Sequence, residues 1–109
     1  MAELEPGAPA PLVVEGHPDG AEGPVVRVAG DLDISSVEQL RTVVSSLLAE
    51  HPATLTFDMA ELRFMDSAGI AVLLGAVKKV ETVRLRNPTH AVRRVLELTG
   101  LTDVLTIES

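Results

Sequence analysis

The stretch Ala53-Thr54-Leu55-Thr56-Phe57-Asp58 alternates polar and apolar side chains, and Thr82-Val83-Arg84-Leu85-Arg86 repeats the pattern. Period-two alternation marks a strand with one buried face and one wet face. Helical patterns flank both segments. Residues 35–50 place Val37, Leu40, Val44, Leu47 and Leu48 on one side of a helix, and residues 67–80 place Ile70, Leu73, Leu74 and Val77 at matching spacing. Strands alternating with helices predict a mainly parallel sheet joined by right-handed crossovers. Parallel strands covered on both faces read as continuous apolar runs, and these do not. The expected fold is therefore α/β, a single layer in which a mainly parallel mixed sheet carries its helices predominantly on one face.

Outward from this centre, residues 24–30 read as the strand before the first helix and residues 12–15 as a short strand before that. The intervening Gly, Pro and Asp residues of 16–24 form a loop that is long for a hairpin. Towards the C-terminus, Asn87-Pro88 reads as a cap followed by proline at the first helical position, opening a helix that runs to Thr99 and stops at Gly100. Residues 104–107 read as a last short strand. Residues 1–10 have the acidic, Pro/Ala-rich composition of a solvated tail, which leaves 11–109 as one domain.

Composition narrows the function classes. Phe57 and Phe64 are the only aromatic residues, so a base-stacking or carbohydrate platform is poorly supported. The net charge is −7, and residues 1–24 hold five acidic residues and no basic one. A basic footprint for nucleic acid is missing. The absence of cysteine removes disulfides and thiolate chemistry, and His17, His51 and His90 lack metal-ligand spacing, so no metal and no cofactor is expected. The acidic N-terminus has neither the basic start nor the apolar run of a signal peptide, and no segment approaches a membrane span. A soluble cytoplasmic protein with no membrane role is expected.

Two turns lead from strands into helices: Gly30-Asp31-Leu32-Asp33 and Phe64-Met65-Asp66-Ser67-Ala68-Gly69. Consecutive crossovers put both at the carboxyl edge of the sheet, side by side, where open α/β folds hold their functional sites. The edge then gathers Asp31, Asp33, Asp66 and Ser67. A serine at a helix start suits capping, with Asp66 favouring the same helix end by charge. It also places a hydroxyl at the positive end of a helix dipole, where a phosphate is tolerated. Ala68 and Gly69 leave room for a partner to approach. Ala71, Val72, Gly75 and Ala76 add more small and apolar surface than one buried stripe needs. Asp31 and Asp33 could form an acid–base pair, although Asp after Gly at such a turn is commonly turn chemistry.

Three motifs in order carry a resemblance to a known family. The run from Leu62 through Asp66-Ser67-Ala68-Gly69 to Gly75 resembles the phosphorylation segment of STAS-domain anti-sigma-factor antagonists. Residues Val26 through Gly30-Asp31-Leu32-Asp33 resemble that family's second strand and acidic turn, and Asn87-Pro88, Val92, Leu96 and Thr99-Gly100-Leu101 resemble its third-helix signature. The resemblance spans about residues 11–108 and implies the STAS fold. It also implies a binding protein rather than an enzyme. Its partner is an anti-sigma factor with a histidine-kinase-like ATP fold, which phosphorylates Ser67; a separate serine phosphatase reverses the mark. In the unphosphorylated state the chain binds that partner and releases a sigma factor. Asp31, Asp33, Asp66, Ser67, Ala68, Gly69 and Val72 are the implied partner-binding residues. The alternative within the same fold is a constitutive STAS subunit of a transporter or scaffold, with Ser67 only a helix cap. Ala68 departs from the second hydroxyl common after the motif serine, and the turn Lys78-Lys79-Val80-Glu81-Thr82 is shorter than in many relatives.

Overall fold

The computed structural model describes residues 10–108; the tail expected over residues 1–10 lies outside the described residues except for Ala10. The elements run β1 (Val13–His17), β2 (Val25–Leu32), α1 (Val37–Leu48), β3 (Thr54–Met65), α2 (Ser67–Val77), β4 (Thr82–Arg86), α3 (His90–Leu98), a 3-10 turn (Leu101–Asp103) and β5 (Thr106–Glu108). The sheet order is β1-β2-β3-β4-β5. β1 pairs antiparallel with β2, and every later pair is parallel. Sequential parallel strands with crossovers of one hand place all three helices on the same face. Burial agrees. Val26, Val28 and Leu32 of β2, Leu55, Phe57 and Met59 of β3, and Val83 and Leu85 of β4 share one core with residues from all three helices.

The opposite face is wet and charged. One row crosses all five strands in register: Glu15 beside Arg27, then Asp58, Arg86 and Glu108. The signs alternate across the sheet. Arg27 bonds Glu15 at 2.9 Å and also Glu61, while Arg84 reaches Glu22 at 3.1 Å and Glu108 at 3.4 Å. The hydrogen bond to Glu61, more than any other influence, raises the Arg27 pKa. The joint effect of these cross-strand pairs is to keep this face in solvent and its strands in register. Thr56 lies on the same side yet is buried, flanked in register by Val25 and Arg84.

β3 is twice the expected length. It continues past Asp58 to Met65, because two extra residues are absorbed opposite β2: Arg27 pairs Asp58 but Ala29 pairs Glu61, and Gly30 pairs Leu62 but Asp31 pairs Phe64. Each shift is a β-bulge on β3 that advances the inward side by one position. The buried residues therefore fall at Met59, Leu62 and Met65, three apart. Asp58 Oδ1 accepts the Ala60 N–H at 3.2 Å and so satisfies a donor at the first bulge.

The other corrections have local causes. The buried stripe of α2 is Gly69, Val72, Leu73 and Ala76, because small residues let α2 lie close to α1 and to Met65; of the expected Ile70, Leu73, Leu74 and Val77, Leu73 is buried and Ile70 and Val77 pack partly buried against the core. Leu74 is 38% exposed. α3 is capped by Thr89, whose hydroxyl accepts the Val92 N–H at 3.4 Å and donates to the Leu62 carbonyl at 2.9 Å. Asn87 instead adopts φ 54° and donates its N–H to the Glu108 carbonyl at 2.7 Å, joining β5. Gly100 ends α3 in the left-handed region, at φ 74°, as expected from its position. The 3-10 turn then delays the last strand to Thr106–Glu108.

Candidate functional site

The carboxyl edge is assembled from the end of β2, the end of β3 and the first turns of α1 and α2. Strand pairing sets Asp31 beside Phe64 and Leu32 beside Met65, and the Asp66 N–H donates to the Leu32 carbonyl at 3.2 Å. The two turns singled out in the sequence are thus neighbours. Parts of both turns, Gly30–Leu32 and Phe64–Met65, are paired strand rather than loop.

Gly30 has φ 93°, and a Cβ there would stand 2.1 Å from the Pro11 carbonyl oxygen. The chain arriving from the N-terminus crosses Gly30 at close range, which only glycine permits. Asp31 fastens it: the Asp31 N–H donates to the Ala10 carbonyl at 3.1 Å, and Asp31 Oδ2 accepts the Ala10 N–H at 3.0 Å. Ala10 is therefore tied to the sheet edge rather than part of a free tail. Arg63 Nε lies 3.9 Å from Asp31 Oδ1. Asp33 begins α1 by turn chemistry. Its Oδ1 accepts the Ser35 N–H at 2.9 Å and the Ser35 hydroxyl at 2.6 Å, and its carbonyl accepts the Ser36 and Val37 N–H groups. The Ser35 hydroxyl, and more weakly the Ser35 and Ser36 backbone and hydroxyl donors, hold the Asp33 carboxyl below its ordinary pKa.

At the neighbouring helix the capping reading of Ser67 is corrected. The N-cap is Asp66, in extended backbone, with Oδ1 accepting the Ala68 N–H at 2.9 Å. The Asp66 carbonyl accepts the Gly69 and Ile70 N–H groups at 3.1 and 3.3 Å. Ser67 is the first helical residue, exposed, and its hydroxyl has no hydrogen-bond partner among the described residues. A serine at N1 cannot perform the bond that defines an N-cap, because that bond belongs to the preceding residue.

Of the expected contact residues, Asp31, Asp33, Asp66, Ser67 and Ala68 lie at this edge with some exposure, but Val72 and Gly69 do not reach the surface. Val72 is 5% exposed in the core. A Cβ on Gly69 would meet Met65 Cγ at 2.5 Å and Leu32 Cδ2 at 2.7 Å, so this glycine allows α2 to sit on the strand ends. Two residues outside the expected set belong to the edge by exposure: Ile34, 82% exposed, and Phe64, 49% exposed. Ile34 could have been noticed as an apolar residue inside an Asp/Ser turn. The outward turn of Phe64 depends on the second bulge. The three histidines are apart, and among the described residues no group of side chains could hold a metal ion.

A family model described as the STAS domain matches residues 12–109. The chain belongs to the STAS domain family. An anti-sigma F factor antagonist of Lysinibacillus sphaericus is 34% identical to this STAS domain over 82 residues, covering 71% of this chain and 70% of that protein. An anti-sigma-B factor antagonist of Bacillus subtilis (strain 168) is 32% identical over 88 residues, covering 77% and 80%. Among solved structures, the anti-sigma factor antagonist SpoIIAA in its unphosphorylated form superposes with TM-score 0.75 at 28% identity, covering 89% of each chain. An anti-sigma factor antagonist from Mycobacterium paratuberculosis superposes with TM-score 0.82 at 23% identity, covering 89% and 85%, and supports the fold alone. The expected five-stranded α/β layer is the STAS fold. Among the described residues no helix is long and apolar enough to cross a membrane.

Proposed function

We propose that this STAS domain is an anti-sigma-factor antagonist, a cytoplasmic binding protein switched by phosphorylation of Ser67. The observation that carries this reading is the state of that hydroxyl: exposed, at the first position of α2, and without a hydrogen-bond partner among the described residues while Asp66 does the capping. The similarity to anti-sigma factor antagonists supports the antagonist part of this reading. Unphosphorylated, the edge around Asp31, Asp33, Asp66, Ser67 and Ala68 docks on an anti-sigma factor with a histidine-kinase-like ATP fold and displaces its sigma factor. Gly69 and Val72 support that edge from beneath.

The partner supplies Mg-ATP and the base. Ser67 Oγ attacks the γ-phosphorus, the bond to the bridging oxygen breaks, and ADP leaves; the hydroxyl proton passes to the partner. The chain itself turns nothing over. A phosphatase returns the serine by hydrolysis.

The added phosphate brings about −1.5 to −2 charge. The Ala68, Gly69 and Ile70 N–H groups already bond Asp66, so the helix end has few donors left to absorb it. The charge stays at the surface next to the Asp66 carboxylate, and docking would have to desolvate both. A loss of about 3 kcal/mol weakens a complex more than a hundredfold, with no refolding required.

The test is a pair of baits, Ser67→Ala and Ser67→Glu, presented to lysate of the native host with identification by mass spectrometry. Retention of a kinase-fold protein by the Ala bait and its loss from the Glu bait is the expected result. Equal retention of partners that include no kinase fold would overturn the switch and favour a constitutive subunit.

A further inference from the structure

Single exposed apolar side chains are ordinary on a protein surface, but several at one functional edge, bordered by polar groups, mark a docking surface. The chain has two phenylalanines. Phe57 is fully buried, while Phe64 is 49% exposed and is turned outward by the second bulge of β3. Ile34, 82% exposed, follows Asp33 in the turn that enters α1. Asp31 pairs in register with Phe64, and Leu32 bonds Asp66, so both apolar residues stand on the edge that carries Ser67. Around them are three carboxylates, those of Asp31, Asp33 and Asp66. Of these three carboxylates, only that of Asp31 has an ion pair among the described residues, a long one to Arg63 at 3.9 Å.

We propose that Ile34 and Phe64 are the two apolar anchors of the partner contact, and that the surface they enter is an apolar recess on a protein rimmed by Arg or Lys. The proposal rests on the reading of Ser67 given above and adds the residues that supply affinity. Charge complementarity selects this occupant. The carboxylates at the rim oppose an acidic partner, and a second copy of this chain would bring its own acidic edge against them. The other exposed large apolar residues are Val13 in β1, Leu74 in α2, Leu98 at the last position of α3 and Val104 after the 3-10 turn; the last two lie where the α3 crossover returns to the opposite edge of the sheet.

The experiment places a photo-crosslinking benzoylphenylalanine at position 34, 64, 98 or 104 of the full chain, one at a time, in cells of the native host. Expected are adducts at 34 and 64 to one kinase-fold protein, through peptides carrying Lys or Arg beside apolar residues, and none at 98 or 104. Adding Ser67→Glu should abolish them. If adducts form only at 98 or 104 yet still vanish with Ser67→Glu, the anchors are wrong and the Ser67 reading survives. Adducts at 34 and 64 that ignore Ser67→Glu support the anchors and remove the switch. An acidic crosslinked peptide, or no adduct at any position, overturns the proposal. With the purified partner so identified, Phe64→Ala should weaken binding by roughly tenfold or more with an unchanged melting curve; unchanged affinity would overturn it independently.

Discussion

Two helices of this protein begin with aspartate and serine at the same edge of the sheet, and they use the serines differently. At α1, Asp33 holds the Ser35 hydroxyl at 2.6 Å, and the Ser36 hydroxyl donates to the Asp31 carbonyl at 3.1 Å. Those hydroxyls are spent on the turn. At α2, Asp66 caps the helix alone and the Ser67 hydroxyl is left over. Sequence pattern treats these serines alike, since each follows an aspartate by one to three residues at a helix start. The difference lies in who satisfies the backbone. Where one residue suffices, the adjacent hydroxyl is available for chemistry.

The largest effect that should separate the two turns is on binding. Ser67→Glu should lower affinity for the anti-sigma factor more than a hundredfold, about 3 kcal/mol, while Ser35→Glu should change it several-fold at most. Calorimetry with the purified pair checks this, and comparable losses would erase the distinction. Next in size is stability. Asp66→Ala removes the cap and should cost about 1 kcal/mol in denaturant unfolding, whereas Ser67→Ala should stay within about 0.5 kcal/mol of the parent. A loss at Ser67 equal to that at Asp66 would restore the structural role to the serine.

The smallest effect is on titration. Asp33 titrates below the usual carboxylate range, chiefly because of the Ser35 hydroxyl, and Ser35→Ala should move it back up. A depressed folded value means that its stabilising contribution is present above the unfolded carboxylate pKa and is lost as pH falls through the folded one. NMR titration of the Asp33 carboxyl carbon reads this directly; an unmoved midpoint in Ser35→Ala would assign the shift elsewhere.

The overall layer was legible because Leu55 and Phe57 alternate with polar neighbours, and Val83 and Leu85 do the same. The second half of β3 was not. Bulges put Met59, Leu62 and Met65 three apart, a spacing that matches neither a flat strand nor a long helix. The same bulges turn Phe64 outward, so half of the apolar pair at the site was hidden with them. The proximity of the two turns followed from topology alone. Which residue caps α2 did not, since Asp and Ser compete for that position on nearly equal terms and only the backbone angles of Asp66 decide it. The register of the open face was half readable: Asp58, Arg84 and Arg86 face outward by alternation, but the alignment of Glu15, Arg27, Asp58, Arg86 and Glu108 required the pairing.

The most direct measurement is phosphosite mapping by mass spectrometry of the chain recovered from its own host, and again after incubation with the purified anti-sigma factor and Mg-ATP. Phosphate on Ser67, with Ser35 and Ser36 unmodified, is the predicted result. Phosphate on Ser35 or Ser36, or an unmodified Ser67 under both conditions, would contradict the account.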